Sequence, residues 1–282
     1  MKKIAVLLTV FNRKATTLQG LKSLYKAIEI LGEDYSFDIY MTDDGSTDGT
    51  AEAVAKEFSD ICITKGNGNL FWSGGMRKAW QASIDSGIEY DFFLWFNDDA
   101  VLYENAFVIL FRAYEKNGPY CIVTGAFCGH DGKASYGGKI DEGNVIEPNG
   151  AYQDVALMNG NFVLVPFSAY SKLGTIDKKF KHGFGDYDYG LRAHKNHIRV
   201  VLTAEYVGIC DRHDVEIPNY FSTKYGLLKR LKLSYNPQNS PYYYFIFIFR
   251  HEGFFKAIKY FIWRNYYTLF PQLFKAAKSN ES

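Results

Sequence analysis

The sequence predicts an α/β protein: a mostly parallel central sheet flanked by helices, followed by an aromatic-rich helical C-terminal extension. Three observations predict it. Short, almost uninterrupted apolar runs recur through the first hundred residues, as expected of parallel strands buried on both faces. Between them lie stretches with apolar residues at helical spacing. Each apolar run ends abruptly in a polar or glycine-rich cluster, and strand–helix alternation places such clusters along one edge of a parallel sheet.

The elements follow in order. Ile4 to Phe11 reads as a central strand. Leu18, Leu21, Leu24, Tyr25, Ile28 and Leu31 then share one helical face. Phe37 to Met41 is a second strand running into TDDGSTDGT, where Ser46, Thr47 and Asp48 are placed to cap the next helix. Ile61 to Thr64 is a third strand. The glycine-rich stretch GNGNLFWSGG, ending at Gly75, leads into a helix carrying Met76, Trp80 and Ile84. Phe92 to Phe96 is a fourth strand, and right-handed crossovers are expected between all four. Beyond it come a helix with Phe107, Leu110, Phe111 and Tyr114, a strand CIVTGAF, and hairpins or a mobile loop from Gly129 to Gly150. A strand over Asn161 to Pro166, a helix opening in GFGDYDYGLR and a strand over Arg199 to Thr203 complete the part expected to form one domain, residues 1–219. Within it, about residues 1–100 and about 101–219 read as two halves, the first holding the regular strand–helix alternation.

With 282 residues, nearly half of them hydrophobic, the chain can bury a full-sized core. A net charge of +1 gives no electrostatic case for nucleic acid. Cys62, Cys121, Cys128 and Cys210 show neither CxxC nor zinc spacing. Cys62 and Cys121 lie in apolar runs and are expected to be buried and reduced, which fits a cytoplasmic protein. MKKIAVLLTVFN starts like a signal peptide, but its apolar run is short and no small-residue cleavage site follows, so a first strand is the better reading.

The polar clusters carry the chemistry. Asp98 and Asp99, straight after the apolar FLWF, suit a hard divalent ion such as Mg²⁺ or Mn²⁺; the competing reading is a turn with a helix cap. Asp43 and Asp44 sit alike one strand earlier, in a sequence that also makes a good turn. GNGNLFWSGG offers backbone N–H groups before a helix N-terminus, a natural phosphate cradle, with Trp72 as either a lid or a stacking platform. Asp186 and Asp188 open a helix, Asp188 spaced to pair with Arg192 and Asp186 presented where a carboxylate can take a proton from a hydroxyl. His213, in DRHD, is a metal ligand, a phosphate contact or a packed residue.

Taken in order, TVFNR, TDDGSTDGT, the glycine-rich loop, FNDDA, MNGNFVLVPFSAYSKLGTID and HGFGDYDYGLRAHKNH resemble the family-two glycosyltransferases of the GT-A, Rossmann-like fold, over residues 3–215, with the closest flavour that of a rhamnosyltransferase-like branch. The resemblance implies an inverting, metal-dependent enzyme. It would move a sugar from a nucleoside diphosphate sugar to a glycan or lipid-linked acceptor in bacterial surface polysaccharide synthesis. It also implies roles: Thr9, Phe11 and Arg13 beside the base, Asp43 on base or ribose, Asp98 on ribose or the metal shell, Asp99 on the Mn²⁺ or Mg²⁺, His213 near metal or diphosphate, and Asp186 as catalytic base. The family's first DxD carboxylate is Asn97 here, and its acidic residue before the base is Gly185, which is expected to lower the Asp186 pKa. A nucleotidyltransferase acting on sugar phosphates and a non-catalytic sugar-nucleotide scaffold are the alternatives.

From residue 220 onward aromatics interleave with Lys and Arg. Helices folded back on the catalytic domain, a homodimer contact, and an in-plane helix peripheral on an anionic inner membrane all fit this extension, 220–282. No run is long and apolar enough for an ordinary transmembrane helix.

Overall fold

The computed structural model describes residues 1–140, 143–212, 219–237 and 240–274. The first half alternates as expected: β1 (Lys2–Val10), α1 (Lys14–Glu29), β2 (Tyr35–Asp43), α2 (Thr50–Glu57), β3 (Cys62–Lys65), α3 (Phe71–Asp85) and β4 (Phe92–Phe96). Then follow β5 (Val101–Leu102), α4 (Ala106–Asn117), β6 (Ile122–Cys128), β7 (Ala134–Tyr136), β8 (Gly138–Lys139), β9 (Gln153–Asp154), β10 (Leu157–Met158), β11 (Phe162–Pro166), α5 (Phe167–Leu173), α6 (Gly185–Lys195) and β12 (Val200–Ile209). The stretch after Gly129 is thus built of short strands, two of which, β8 and β10, pair in a small sheet of their own.

The main sheet has the order β3-β2-β1-β4-β11-β6-β12-β5. Its first four strands are parallel. β11 then runs antiparallel between β4 and β6, and β12 is parallel to β6. The unbroken apolar runs are explained by this placement, because β1 and β4 are inner strands covered on both faces. Ile4, Val6, Leu8, Leu94 and Phe96 face a core shared with α1 and α4, while Ala5, Leu7, Phe93 and Trp95 face one shared with α3 and α6.

Two expectations are corrected. Cys62 is exposed, because β3 is the edge strand of the sheet; Cys121 is buried as expected. Ser46 and Thr47 do not cap α2, whose cap residue is Gly49 in the left-handed region. They turn back to β1: the Asn12 N–H donates to Ser46 Oγ and the Thr47 N–H to Asn12 Oδ1.

The chain forms two compact units. Met1–Lys178 with Gly185–Arg212 make the sheet unit. Lys179–Phe184 and the chain beyond Arg212 make the second. In that second unit α8 (Pro241–Glu252) and α9 (Phe254–Leu269) pack through aromatic rings, and α7 (Leu227–Ser234) is tied to α9 by Arg230, whose Nε–H donates to the Thr268 carbonyl at 2.9 Å. Among the described residues no helix is long and apolar enough to cross a membrane.

Candidate active site

The carboxyl ends of β1, β2 and β4 deliver the predicted polar residues to one edge. Phe11 stands half exposed just past β1, and Asn12 beside it adopts a left-handed φ of 50°, which Asn tolerates better than most residues. Asp43, at the end of β2, is nearly buried and accepts from the Ser46 N–H at 3.0 Å. Its neighbour Asp44 orders the glycine-rich loop: its carboxylate accepts the N–H groups of Gly68, Leu70 and Phe71, each at 2.9 Å. Gly66 is required there, since a Cβ would lie 2.4 Å from Asp44 Oδ1. The loop thereby points its chain into α3, whose first turn holds Trp72.

Trp72 is therefore on a helix, not free in a loop. Its indole N–H donates to Asn97 Oδ1 at 2.7 Å, and its ring lies flush on Gly160, where a Cβ would come within 2.3 Å. Gly75, one turn on, lets α3 lie directly on Thr9; a Cβ there would meet Thr9 Oγ1 at 1.9 Å.

The two carboxylates after β4 diverge. Asp98 turns toward α1, where Thr17 Oγ1 donates to it at 2.9 Å and Arg13 at 3.3 Å. Burial raises its pKa to about 6, against the opposing pull of Arg13. Asp99 accepts from the same Arg13 Nη1 at 2.8 Å but is 21% exposed, against 7% for Asp98. Its other oxygen faces the Cys210 thiol at 3.8 Å. The cationic Arg13, itself half exposed, thus balances both acids.

Asp186 lies in the first turn of α6. Its Oδ2 accepts from the Gly160 N–H at 3.1 Å and Oδ1 from the Tyr187 N–H at 2.9 Å. Burial nonetheless raises its pKa to about 6, outweighing those backbone bonds. With glycine at position 185 no acidic neighbour adds to this rise; desolvation alone produces it. Asp188 is fully buried, its Oδ2 taking the Arg192 Nε–H at 2.9 Å in the predicted i,i+4 pair.

The loop before β11 joins these parts. Gly160 holds Asp186 and seats Trp72. Asn161 accepts through its carbonyl from the Asn97 N–H at 2.9 Å and donates Nδ2–H to Cys210 Sγ at 3.4 Å, beside Asp99. Asp99 and Asp186 are therefore connected through Cys210 and the adjacent pair Asn161 and Gly160.

The chain matches the model for glycosyl transferase family 2 over residues 5–174, more than half its length. It belongs to that family. No curated protein sequence matches it. Among solved structures it is similar to the mannosyltransferase PcManGT from Pyrobaculum calidifontis in complex with GDP-Man and Mn²⁺, with a TM-score of 0.53 and 14% identity over 99% of this chain and 75% of that one. It is similar also to S. aureus TarS 1-349 in complex with UDP-GlcNAc, with a TM-score of 0.55 and 13% identity over 93% and 70%. A third is GalNAc-T7 with UDP, GalNAc and Mn²⁺, with a TM-score of 0.52 and 10% identity over 83% and 47%. The likeness is one of fold, the GT-A fold.

For a family-two glycosyltransferase, the departure at Gly185 has a local cause: a Cβ there would lie 2.4 Å from Ser73 Oγ and 2.9 Å from Ile176 Cγ2. α6 begins too close to α3 for any side chain. Among the described residues no group of three or more His, Cys, Asp and Glu is arranged to hold a metal ion. The part-open Asp99 still fits a hard cation, which needs only one or two protein carboxylates when a diphosphate and water complete its shell. His213 lies outside the described residues.

Sequence reasoning missed Asp44 as the loop's anchor, Asn97 as the partner of Trp72, and Gly160 and Asn161 as the joint of the site. The last had a signal: Asn-Gly-Asn directly ahead of a wholly apolar strand.

Proposed function

We propose that this family-two glycosyltransferase is an inverting, metal-assisted enzyme that moves a sugar from a nucleoside diphosphate sugar to a hydroxyl of a glycan or lipid-linked acceptor, within bacterial surface polysaccharide synthesis. The observation that carries the reading is the connection from Asp99 to Asp186 through Cys210, Asn161 and Gly160. It supports a donor diphosphate at one end and an acceptor hydroxyl at the other, with the anomeric carbon between.

In this reading Phe11 offers an open ring to the base, and Asp43 accepts from base or ribose. Arg13 borders the base and holds Asp98 and Asp99 in place. Thr9, Gly75, Trp72 and Asp98 keep the donor pocket in shape by the contacts described above. When bound at Asp99, a Mn²⁺ or Mg²⁺ ion supplies positive charge to the leaving diphosphate. Asp186 takes the proton of the acceptor hydroxyl as its oxygen bonds to the anomeric carbon and the bond to the diphosphate oxygen breaks. One displacement inverts the configuration. A carboxylate with a pKa of about 6 is ionised at neutral pH yet more basic than an ordinary aspartate, which suits that task.

The test is an NMR assay of the product anomer with a panel of nucleoside diphosphate sugars, with and without Mn²⁺. Retention of configuration, or transfer indifferent to chelation, would refute the mechanism. Transfer of a nucleotide from a nucleoside triphosphate would point instead to a nucleotidyltransferase.

A further inference from the structure

Helix α9 is built inside out. Phe255, Ile258, Ile262, Tyr266 and Leu269 recur at three- and four-residue steps along one face, and all five are exposed, Phe255 at 88% and Ile262 at 62%. The face turned inward carries Ala257, Thr268 and Arg264, the last stacked over the Tyr220 ring at 4.0 Å. Burial lowers the Arg264 pKa against the pull of its tyrosine neighbours. A water-facing helix would show the reverse distribution. α8 widens the apolar surface, with Phe249 edge-on to Phe254 and Phe245 edge-on to Phe261.

Beside this stripe lies a cavity of about 330 Å³ lined by Lys256, Lys259, Tyr260 and Trp263. Lys256 pairs with Glu252, and Lys259 has no ion-pair partner among the described residues. From Asn219 to Phe274 the sequence has eight Lys and Arg against one acid, Glu252. That imbalance disfavours a second copy of the same surface, which would bring like charges together. It favours a partner that is apolar within and anionic at its rim.

We propose that the α8–α9 hairpin docks in the plane of an anionic lipid bilayer, the Phe255–Ile262 stripe entering the acyl boundary and the Lys256–Lys259 cavity receiving a headgroup phosphate. At 16 residues α9 lies on the surface and does not cross it. Tyr and Trp at the cavity suit the headgroup level. The surface is independent of sugar transfer, so its test reads partition and not activity.

The full chain is floated with vesicles of phosphatidylcholine alone and with added phosphatidylglycerol. It is expected to float with the anionic vesicles and to lose this in high salt. Phe255→Glu with Ile262→Glu, both exposed and so compatible with folding, is expected to abolish flotation with unchanged thermal unfolding. Lys256→Glu with Lys259→Glu is expected to weaken partition by about fivefold or more per lysine. In the unaltered chain, brominated lipid is expected to quench tryptophan emission, and Trp263→Phe to remove most of that quenching. No flotation with anionic vesicles, or flotation unchanged in both double variants, would overturn the proposal. So would a dimer by light scattering that Ile262→Glu dissolves while vesicles leave the chain unbound, or glycerol phosphate displacing the chain from vesicles at equal phosphate, which would mark a site for free phosphate.

Discussion

The backbone N–H of Gly160 donates to the carboxylate of Asp186 at 3.1 Å, across 26 residues of sequence. The bond fixes where the carboxylate oxygen points, while burial keeps it basic. Replacing Asp186 with Asn preserves the shape and removes the proton acceptor. Transfer is expected to fall by about 10²–10⁴-fold, with donor affinity and melting temperature close to those of the parent. Steady-state kinetics with calorimetric donor titration checks this; near-parental kcat would remove Asp186 from the role of base.

The same burial gives a pH dependence. Asp186 acts as a base only when ionised, and its pKa is raised to about 6. Activity is therefore expected to climb as pH rises through about 6 and to be lost below it. In a profile of kcat/KM, a rise centred near pH 4 would mean that the carboxylate is solvated during turnover.

Asp99 and Asp98 share Arg13 but differ in exposure, and their variants are expected to differ in kind. Asp99→Ala should lose Mn²⁺-dependent donor binding with little change in unfolding. Asp98→Ala should lower stability by about 1–3 kcal/mol, because it leaves the buried Thr17 hydroxyl without its acceptor, while Arg13 keeps Asp99. Calorimetric donor titration with Mn²⁺ and thermal unfolding together separate the two; equal loss of stability in both variants would contradict the division.

Asp44→Ala removes the acceptor of three loop N–H groups at once. Donor affinity is expected to fall about tenfold or more as the loop loses its shape, although Asp44 is assigned no contact with the donor. Increased amide hydrogen exchange at Gly68, Leu70 and Phe71 is the specific sign.

Gly185→Glu would restore the residue the family resemblance expects. It is expected to destabilise the protein by about 1–3 kcal/mol without raising activity, since the space is filled by Ser73 and Ile176. Ser73→Ala should recover part of the loss, measured by chemical denaturation.

Sequence alone made the alternating strands and helices of the first hundred residues legible, because a strand covered on both faces must be apolar throughout and its loop must be polar. For the same reason it placed Asp43, Asp99 and the glycine-rich loop beyond strand ends. It also showed the Asp188–Arg192 pair, whose spacing is local. It could not show that β11 enters antiparallel beside β4, or that Cys62 lies on an edge, because strand order is set by which faces pack together and not by any one run. Nor could it assign Asp44 to the loop, divide Asp98 from Asp99, or find the joint at Gly160 and Asn161. Those depend on contacts between residues 24 to 111 positions apart, such as Gly68 with Asp44 and Cys210 with Asp99, and long-range packing alone brings such groups within reach of one another.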